Sequence, residues 1–122
     1  MVKELYKTTA LAGLSGNNYV FSLWSFDDFD DIKGMFRGEG LYLFTQRYRT
    51  GNVYRHRYIY LGESANFFSR FDNHHKESDI RAHFANCIGF YSMSNATEEE
   101  RIKAEKDLLD NFNFPCNITN NQ

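Results

Sequence analysis

The sequence predicts an α+β fold: a small antiparallel β-sheet flanked by α-helices, with an extra N-terminal strand. Three observations predict it. Residues Gly40 to Gln46 and Arg55 to Gly62 read as the legs of one hairpin, with Thr50-Gly51-Asn52 at its tip. Thr97-Glu98-Glu99-Glu100 is a capping box, the opening of a helix to about Asn111. The 122 residues suit a single domain, 1–122, and the 17% of aromatic residues can fill its core.

The elements follow in order. Asn18 to Phe26 alternates large and small residues and reads as a strand, in an N-terminal extension over 1–39. Asp27-Asp28-Phe29-Asp30-Asp31 breaks it; without the Gly-centred spacing of a calcium loop, a solvated turn is a better reading than a cation site. Gly34, Gly38 and Gly40 read as turn residues, since no Gly-Lys-Ser/Thr ending marks a phosphate cradle. Within the hairpin, pleat parity sets Leu41, Leu43, Ile59 and Leu61 on one side and Tyr42 and Tyr60 on the other. The same parity carries Arg47, Arg49, Arg55 and Arg57 to the aliphatic side, unless a bulge intervenes.

Ser64 can cap a helix to about Lys76, with Phe67, Arg70, Phe71 and His74 along one stripe. Asp79 to Ala85 reads as a short helical turn, Cys87 to Met93 as a strand, and Thr119 to Gln122 as a frayed end.

Charge is unevenly distributed. The chain has a formal net charge of −2, but residues 40–76 carry a net +4, flanked by −2 over 1–39 and −4 over 77–122. Strong nonspecific nucleic-acid binding by the whole surface is excluded; a local basic patch is not. No signal segment or apolar run of about 20 residues is present, and Cys87 and Cys116 lack metal-ligand spacing. A cytoplasmic protein with two reduced thiols and no membrane contact is expected.

Glu105 is the sharpest anomaly, read on an apolar stripe with Ile102, Leu109 and Phe112. A carboxylate there needs a cation: an ion pair with Arg101 or Arg70, or a divalent metal. Arg70 repeats the anomaly between Phe67 and His74, as a partner for a carboxylate or a fork for phosphate oxygens. Alone, His74 is an ordinary helix-end histidine, and Tyr42 and Tyr60 are ordinary strand aromatics.

The ordered set is more specific than its parts. Gly40-Leu41-Tyr42 and Tyr60-Leu61-Gly62, then Arg70, His74, Glu105 and Asn117, together resemble the GIY-YIG nuclease superfamily over residues 40–117. The resemblance implies that family's small sheet with surrounding helices and hydrolysis of phosphodiesters with one Mg²⁺ or Mn²⁺. It implies that Tyr42 orients or deprotonates the attacking water, Tyr60 helps hold water or phosphate, Arg70 binds the phosphate and Glu105 ligates the metal. His74 matches a position used for proton transfer or phosphate contact in some members. Gly40, Gly62 and Asn117 take supporting roles.

Such chemistry is coherent. Phosphodiester hydrolysis needs an oriented water, neutralised charge and help for the leaving oxygen. A phenol of pKa about 10 is only about one part in a thousand ionised at pH 7, so Tyr42 used as a base needs a cation nearby. The chain departs from the family in three ways. The ribbon between Tyr42 and Tyr60 is long, and its arginines alternate with Tyr48, Tyr54 and Tyr58, as in a nucleic-acid arm or a soluble edge ribbon. Glu63 stands where several members have a lysine, and an appended DNA-recognition domain is not expected. The expected partner is nucleic acid, DNA ahead of RNA on family grounds, with a second copy or a protein partner supplying site choice. The rival expectation is a non-catalytic nucleic-acid-binding or adaptor module that keeps the fold.

Overall fold

A computed structural model describes residues 6–25, 38–66 and 77–117. They form five strands, two helices and a 3₁₀ turn: β1 (Tyr6–Ala12), β2 (Asn18–Ser25), β3 (Gly40–Thr50), β4 (Val53–Ser64), α1 (Glu77–Ala82), β5 (Cys87–Ser92), α2 (Glu98–Leu109) and the turn Pro115–Asn117. All strand pairs are antiparallel, in the order β1-β2-β5-β3-β4. The architecture is therefore α+β. Its last strand lies at the centre, between two hairpins made earlier in the chain.

Local sequence accounts for the hairpins. Thr50 pairs with Val53 across a two-residue turn in which Gly51 has φ +62°, a conformation glycine adopts without a Cβ penalty. The hairpin is longer than the sequence predicts at both legs. β1 was not foreseen; it joins β2 through a turn closed by the Gly13 amide donating to the Asn17 carbonyl at 2.8 Å. Its run Tyr-Lys-Thr-Thr-Ala-Leu-Ala carries too few large apolar residues to stand out as a strand, yet Leu11 is fully buried.

Two cores lie on opposite faces of the sheet. On one, Leu11, Phe21, Leu41, Leu43 and Leu61 pack under Ala104 and Leu108 of α2, with Phe114. Each fully buried leucine contributes about 1.5–3 kcal/mol through its removal from water. On the other, Tyr42, Phe44, Tyr60, Ile88 and Phe90 pack with Ile80 of α1 and Cys116. Tyr42 and Tyr60 thus share a face, opposite the leucines.

Ile59 departs from the expected parity. The β3–β4 register runs Phe44↔Tyr60 and then Thr45↔Tyr58, so Ile59 is an extra residue in β4 and turns to the tyrosine face. Every residue before it in β4 changes face as a consequence. Tyr58 therefore packs against Phe112 and Phe114, with ring centroids 5.5 and 6.0 Å apart. Arg47 and Arg49, on the unbulged strand, keep the leucine side. Arg55 and Arg57 do not: the bulge carries them to the tyrosine side, where Arg57 donates to the His83 carbonyl at 3.3 Å.

α2 begins with the predicted capping box: Thr97 Oγ1 accepts from the Glu100 amide at 3.1 Å, and Glu100 Oε1 accepts from the Thr97 amide at 2.8 Å. The helix is fastened to the β1–β2 turn by Asp107, whose carboxylate accepts from the Ser15 amide at 2.8 Å, the Ser15 hydroxyl at 2.6 Å and the Tyr19 hydroxyl at 2.8 Å. Gly13 makes room for this clamp, since a Cβ there would overlap the Asp107 carboxylate.

The sheet curls. Thr8 and Thr9 of β1 line one hollow with His56 and Tyr58 of β4, although these strands are its opposite edges. Ser64 Oγ accepts from the Asn66 amide at 3.0 Å. The helix expected from there to Lys76, and the acidic run at 27–31, fall in 67–76 and 26–37, outside the described residues.

Candidate active site

The two tripeptides meet on adjacent strands. Tyr42 stands opposite Gly62, and its phenol lies across that glycine so closely that a Cβ at 62 would overlap the ring. Tyr60 is beside it, the ring centroids 6.0 Å apart and inclined at 40°, with Phe44 edge-on to Tyr42 at 6.0 Å. Gly40 has its own reason: at φ +151° a Cβ would collide with the Tyr91 carbonyl of β5. The glycines of both tripeptides are thus required by packing. Tyr42 is fully buried, and Tyr60 is 6% exposed.

Glu105 requires a correction of helix phase. The buried side chains of α2 are Arg101, Ala104 and Leu108, whereas Ile102 is 46% exposed. Two stripes one residue apart both satisfy three- and four-residue spacing, and the one with a charge at its head is the one that packs. Glu105 lies half-buried at the margin of that stripe, and the charge set into it is Arg101. Burial of this guanidinium is possible because Glu63 of β4 meets it: Arg101 Nε donates to Glu63 Oε1 at 3.0 Å, and Nη1 to the Ala96 carbonyl at 2.9 Å. Arg101 gives its guanidinium to those groups rather than to Glu105. Glu63, which the sequence offered no partner for, is thus the counter-ion of a buried arginine.

The faces matter for the chemistry. α2 covers the leucine face, and the tyrosines occupy the other. Glu105 lies one turn, about 6 Å along the helix, from Arg101, which is bonded to the edge strand β4. Glu105 therefore belongs to a helix that packs on the face opposite the tyrosines, with the sheet between them.

Asn117 is fixed at the same edge. Its side-chain carbonyl accepts from the Leu61 amide at 2.8 Å, and its amide donates to the Leu61 carbonyl at 2.7 Å. One side chain thus satisfies both outward groups of Leu61, as a paired strand would. Asn86 does the same for Arg47 at 2.6 and 3.0 Å.

Arg70 and His74 lie outside the described residues. Among the described residues no group of three or more His, Cys, Asp or Glu side chains gathers at one point. Mg²⁺ keeps several waters and binds through one or two carboxylates with substrate phosphates, so a single carboxylate is chemically sufficient for it. The four ribbon arginines divide into two pairs. Arg47, on the leucine side, stacks on Tyr54 with its guanidinium carbon 3.7 Å from the ring centre, and Arg49 Nε donates to the Gly51 carbonyl at 2.7 Å. Arg55 and Arg57 serve the tyrosine side. His56, not singled out in the sequence, shares a hydrogen bond of 2.8 Å with Thr45 Oγ1; burial, then the charge of Arg47, hold its pKa below the usual value.

Both cysteines are free thiols and buried, and burial pushes Cys87 up to about 11. Among the described residues no helix is long and apolar enough to cross a membrane. Compared with models of known families, with curated proteins and with solved structures, the chain has no significant match in any of the three.

Proposed function

We propose that the chain has the GIY-YIG fold and is a metal-dependent nuclease of that type, hydrolysing phosphodiester bonds, in DNA ahead of RNA. The observation that carries this reading is the Tyr42–Tyr60 ring pair packed on Gly62 at the edge strand, with Glu105 one helical turn beyond the residue that ties α2 to that strand. In this reading Tyr42 orients or deprotonates the attacking water and Tyr60 holds water or phosphate. Arg70 neutralises charge developing on the phosphate, His74 moves a proton or contacts phosphate, and Asn117 keeps β4 in place beneath Tyr60. Glu105 would hold one Mg²⁺ or Mn²⁺, which supplies Lewis acidity when bound.

A second reading rests on a specific observation. Tyr42 is fully buried, and α2 packs on the sheet face opposite it, as suits a non-catalytic nucleic-acid-binding or adaptor module. The test is incubation with plasmid and single-stranded DNA in Mg²⁺, Mn²⁺ or EDTA. Metal-dependent nicking that Glu105→Ala and Arg70→Ala abolish supports the nuclease. Binding without cleavage in every metal condition overturns it in favour of the adaptor.

A further inference from the structure

Three asparagine side chains stand in for missing strands. Asn117 pairs with both outward groups of Leu61, Asn86 with both of Arg47, and Asn111 donates to the Ala12 carbonyl at 2.8 Å. The bonds of Asn86 also fix the phase of the ribbon. The amide and carbonyl of Arg47 point away from β4, so Arg47↔His56 is a non-hydrogen-bonded pair, and the peptide groups of His56 point away from β3. Alternation gives Tyr54 and Tyr58 the same outward direction. β4 is an edge strand, and among the described residues nothing bonds the main chain of these three on its outer side. The open stretch thus offers three amides and three carbonyls between the Gly51 turn and the Ile59 bulge. A hollow of about 400 Å³ runs beside it, with Thr8 and Thr9 of β1 across from Tyr54, His56 and Tyr58.

Charge chooses among the occupants of such an edge. Arg55 and Arg57 share the tyrosine side of the ribbon, one on each side of His56. Arg57 donates to the His83 carbonyl at 3.3 Å, and among the described residues neither arginine meets a carboxylate. A second copy paired across this edge would set the two arginines against their own counterparts, and like charges directly opposite destabilise a ladder. A phosphate backbone answers the guanidiniums but offers the carbonyls no donor. An extended peptide supplies donors and acceptors in alternation.

We propose that residues 54–58 of β4 take up an extended acidic peptide as a sixth, antiparallel strand. Its central residue pairs with His56. The two neighbours of that residue then fall opposite Arg55 and Arg57 and carry carboxylates. The central residue and those two places away fall beside His56, Tyr54 and Tyr58 on the leucine side, where β-branched side chains fit. The sequence recognised is Val-Glu-Val-Glu-Val or a close equivalent. Main-chain bonds supply the affinity, and the two charge pairs select the partner. This surface is separate from the Tyr42–Tyr60 pair and independent of whether the chain cleaves nucleic acid.

The test titrates fluorescein-labelled Ser-Val-Glu-Val-Glu-Val-Ser against the full chain by anisotropy and follows amide exchange by NMR. Binding should slow exchange at the amides of Tyr54, His56 and Tyr58. Those of Arg55 and Arg57, already turned toward β3, should not change. N-methylation of the central valine should weaken binding at least about tenfold, whereas N-methylation of a glutamate, whose amide points away from β4, should change it less than about twofold. Arg57→Glu, at an exposed position outside both cores, should weaken binding about tenfold and favour a peptide with lysines in place of the glutamates. Absence of binding, or protection without the alternation at 54, 56 and 58, would overturn strand addition. A free chain that sediments as a dimer with these amides already slow would assign the edge to a second copy and overturn the peptide. Protection by a thymidine decamer and not by the peptide would do the same in favour of nucleic acid. Binding indifferent to Arg57→Glu would overturn the acidic partner.

Discussion

The phenol of Tyr42 occupies the space that a side chain at Gly62 would need. These residues face each other across β3 and β4, so the requirement is mutual: the tyrosine keeps its place only over a glycine, and the glycine tolerates no Cβ only while the tyrosine is there. Gly62→Ala should destabilise the fold by about 1–3 kcal/mol through overpacking, read as a lowered denaturation midpoint in urea. In a Tyr42→Ala background the same change should cost much less. A double-mutant cycle with coupling below about 0.5 kcal/mol would show that the two do not compete for space.

Glu63 and Arg101 should behave as a unit. Removing the acid leaves a guanidinium in a helix stripe with half its partners, so Glu63→Gln should cost about 2–3 kcal/mol, and Glu63→Lys more. Pairing Glu63→Gln with Arg101→Met should recover most of that loss. If Glu63→Lys instead melts with the parent chain, the ion pair contributes nothing to holding α2.

The clamp at Asp107 predicts an acid dependence. Its hydrogen bonds to Ser15, followed by that from Tyr19, hold the carboxyl below its ordinary pKa. A depressed folded-state pKa means that the stabilisation is complete above about pH 4 and is lost as pH falls through the folded value. The melting temperature should therefore drop as pH falls below about 4, and more shallowly in Asp107→Asn. Parallel pH profiles for the two chains would remove Asp107 from the acid response.

Asn117 makes a prediction local to one peptide. Asn117→Asp keeps the shape but replaces the donor to the Leu61 carbonyl with an acceptor, at a cost of about 1–3 kcal/mol. Asn117→Ala exposes both groups, and the Leu61 amide should then exchange with solvent markedly faster. Unchanged protection at Leu61 would mean that another group covers this edge.

Much of the frame was legible in residues whose signal is local. The Gly51 turn, the Thr97 box and the alternation in β3 each depend on neighbours within a few positions, and each stands where the sequence places it. Three other features depend on partners far along the chain. The insertion of Ile59 is invisible in a pattern of apolar residues, yet it reassigns the faces of Arg55 and Arg57. The phase of α2 turns on Arg101 being acceptable in the core, which Glu63, 38 positions earlier, makes true together with the Ala96 carbonyl. β1 owes its place to pairing with β2 and burial of one leucine rather than to a strong pattern of its own. For the candidate site, the proximity of Tyr42 and Tyr60 was readable from strand parity, whereas the position of Glu105 at the stripe's margin was not.

The central place of β5 bears on how a ribosome could deliver this protein. Both hairpins are complete once Ser64 has emerged, but each offers an open edge, β2 on one side and β3 on the other, until residues 87–92 arrive to fill the gap. The clamp from Asp107 to Ser15 and the bond from Asn111 to the Ala12 carbonyl come later still, across 92 and 99 positions. Contacts of such range make for slow folding, and two unpaired strand edges invite pairing with neighbouring chains. Until residues 87–92 have been made, the chain lacks the one strand that can close both edges, so protection of the sheet depends on its last strand.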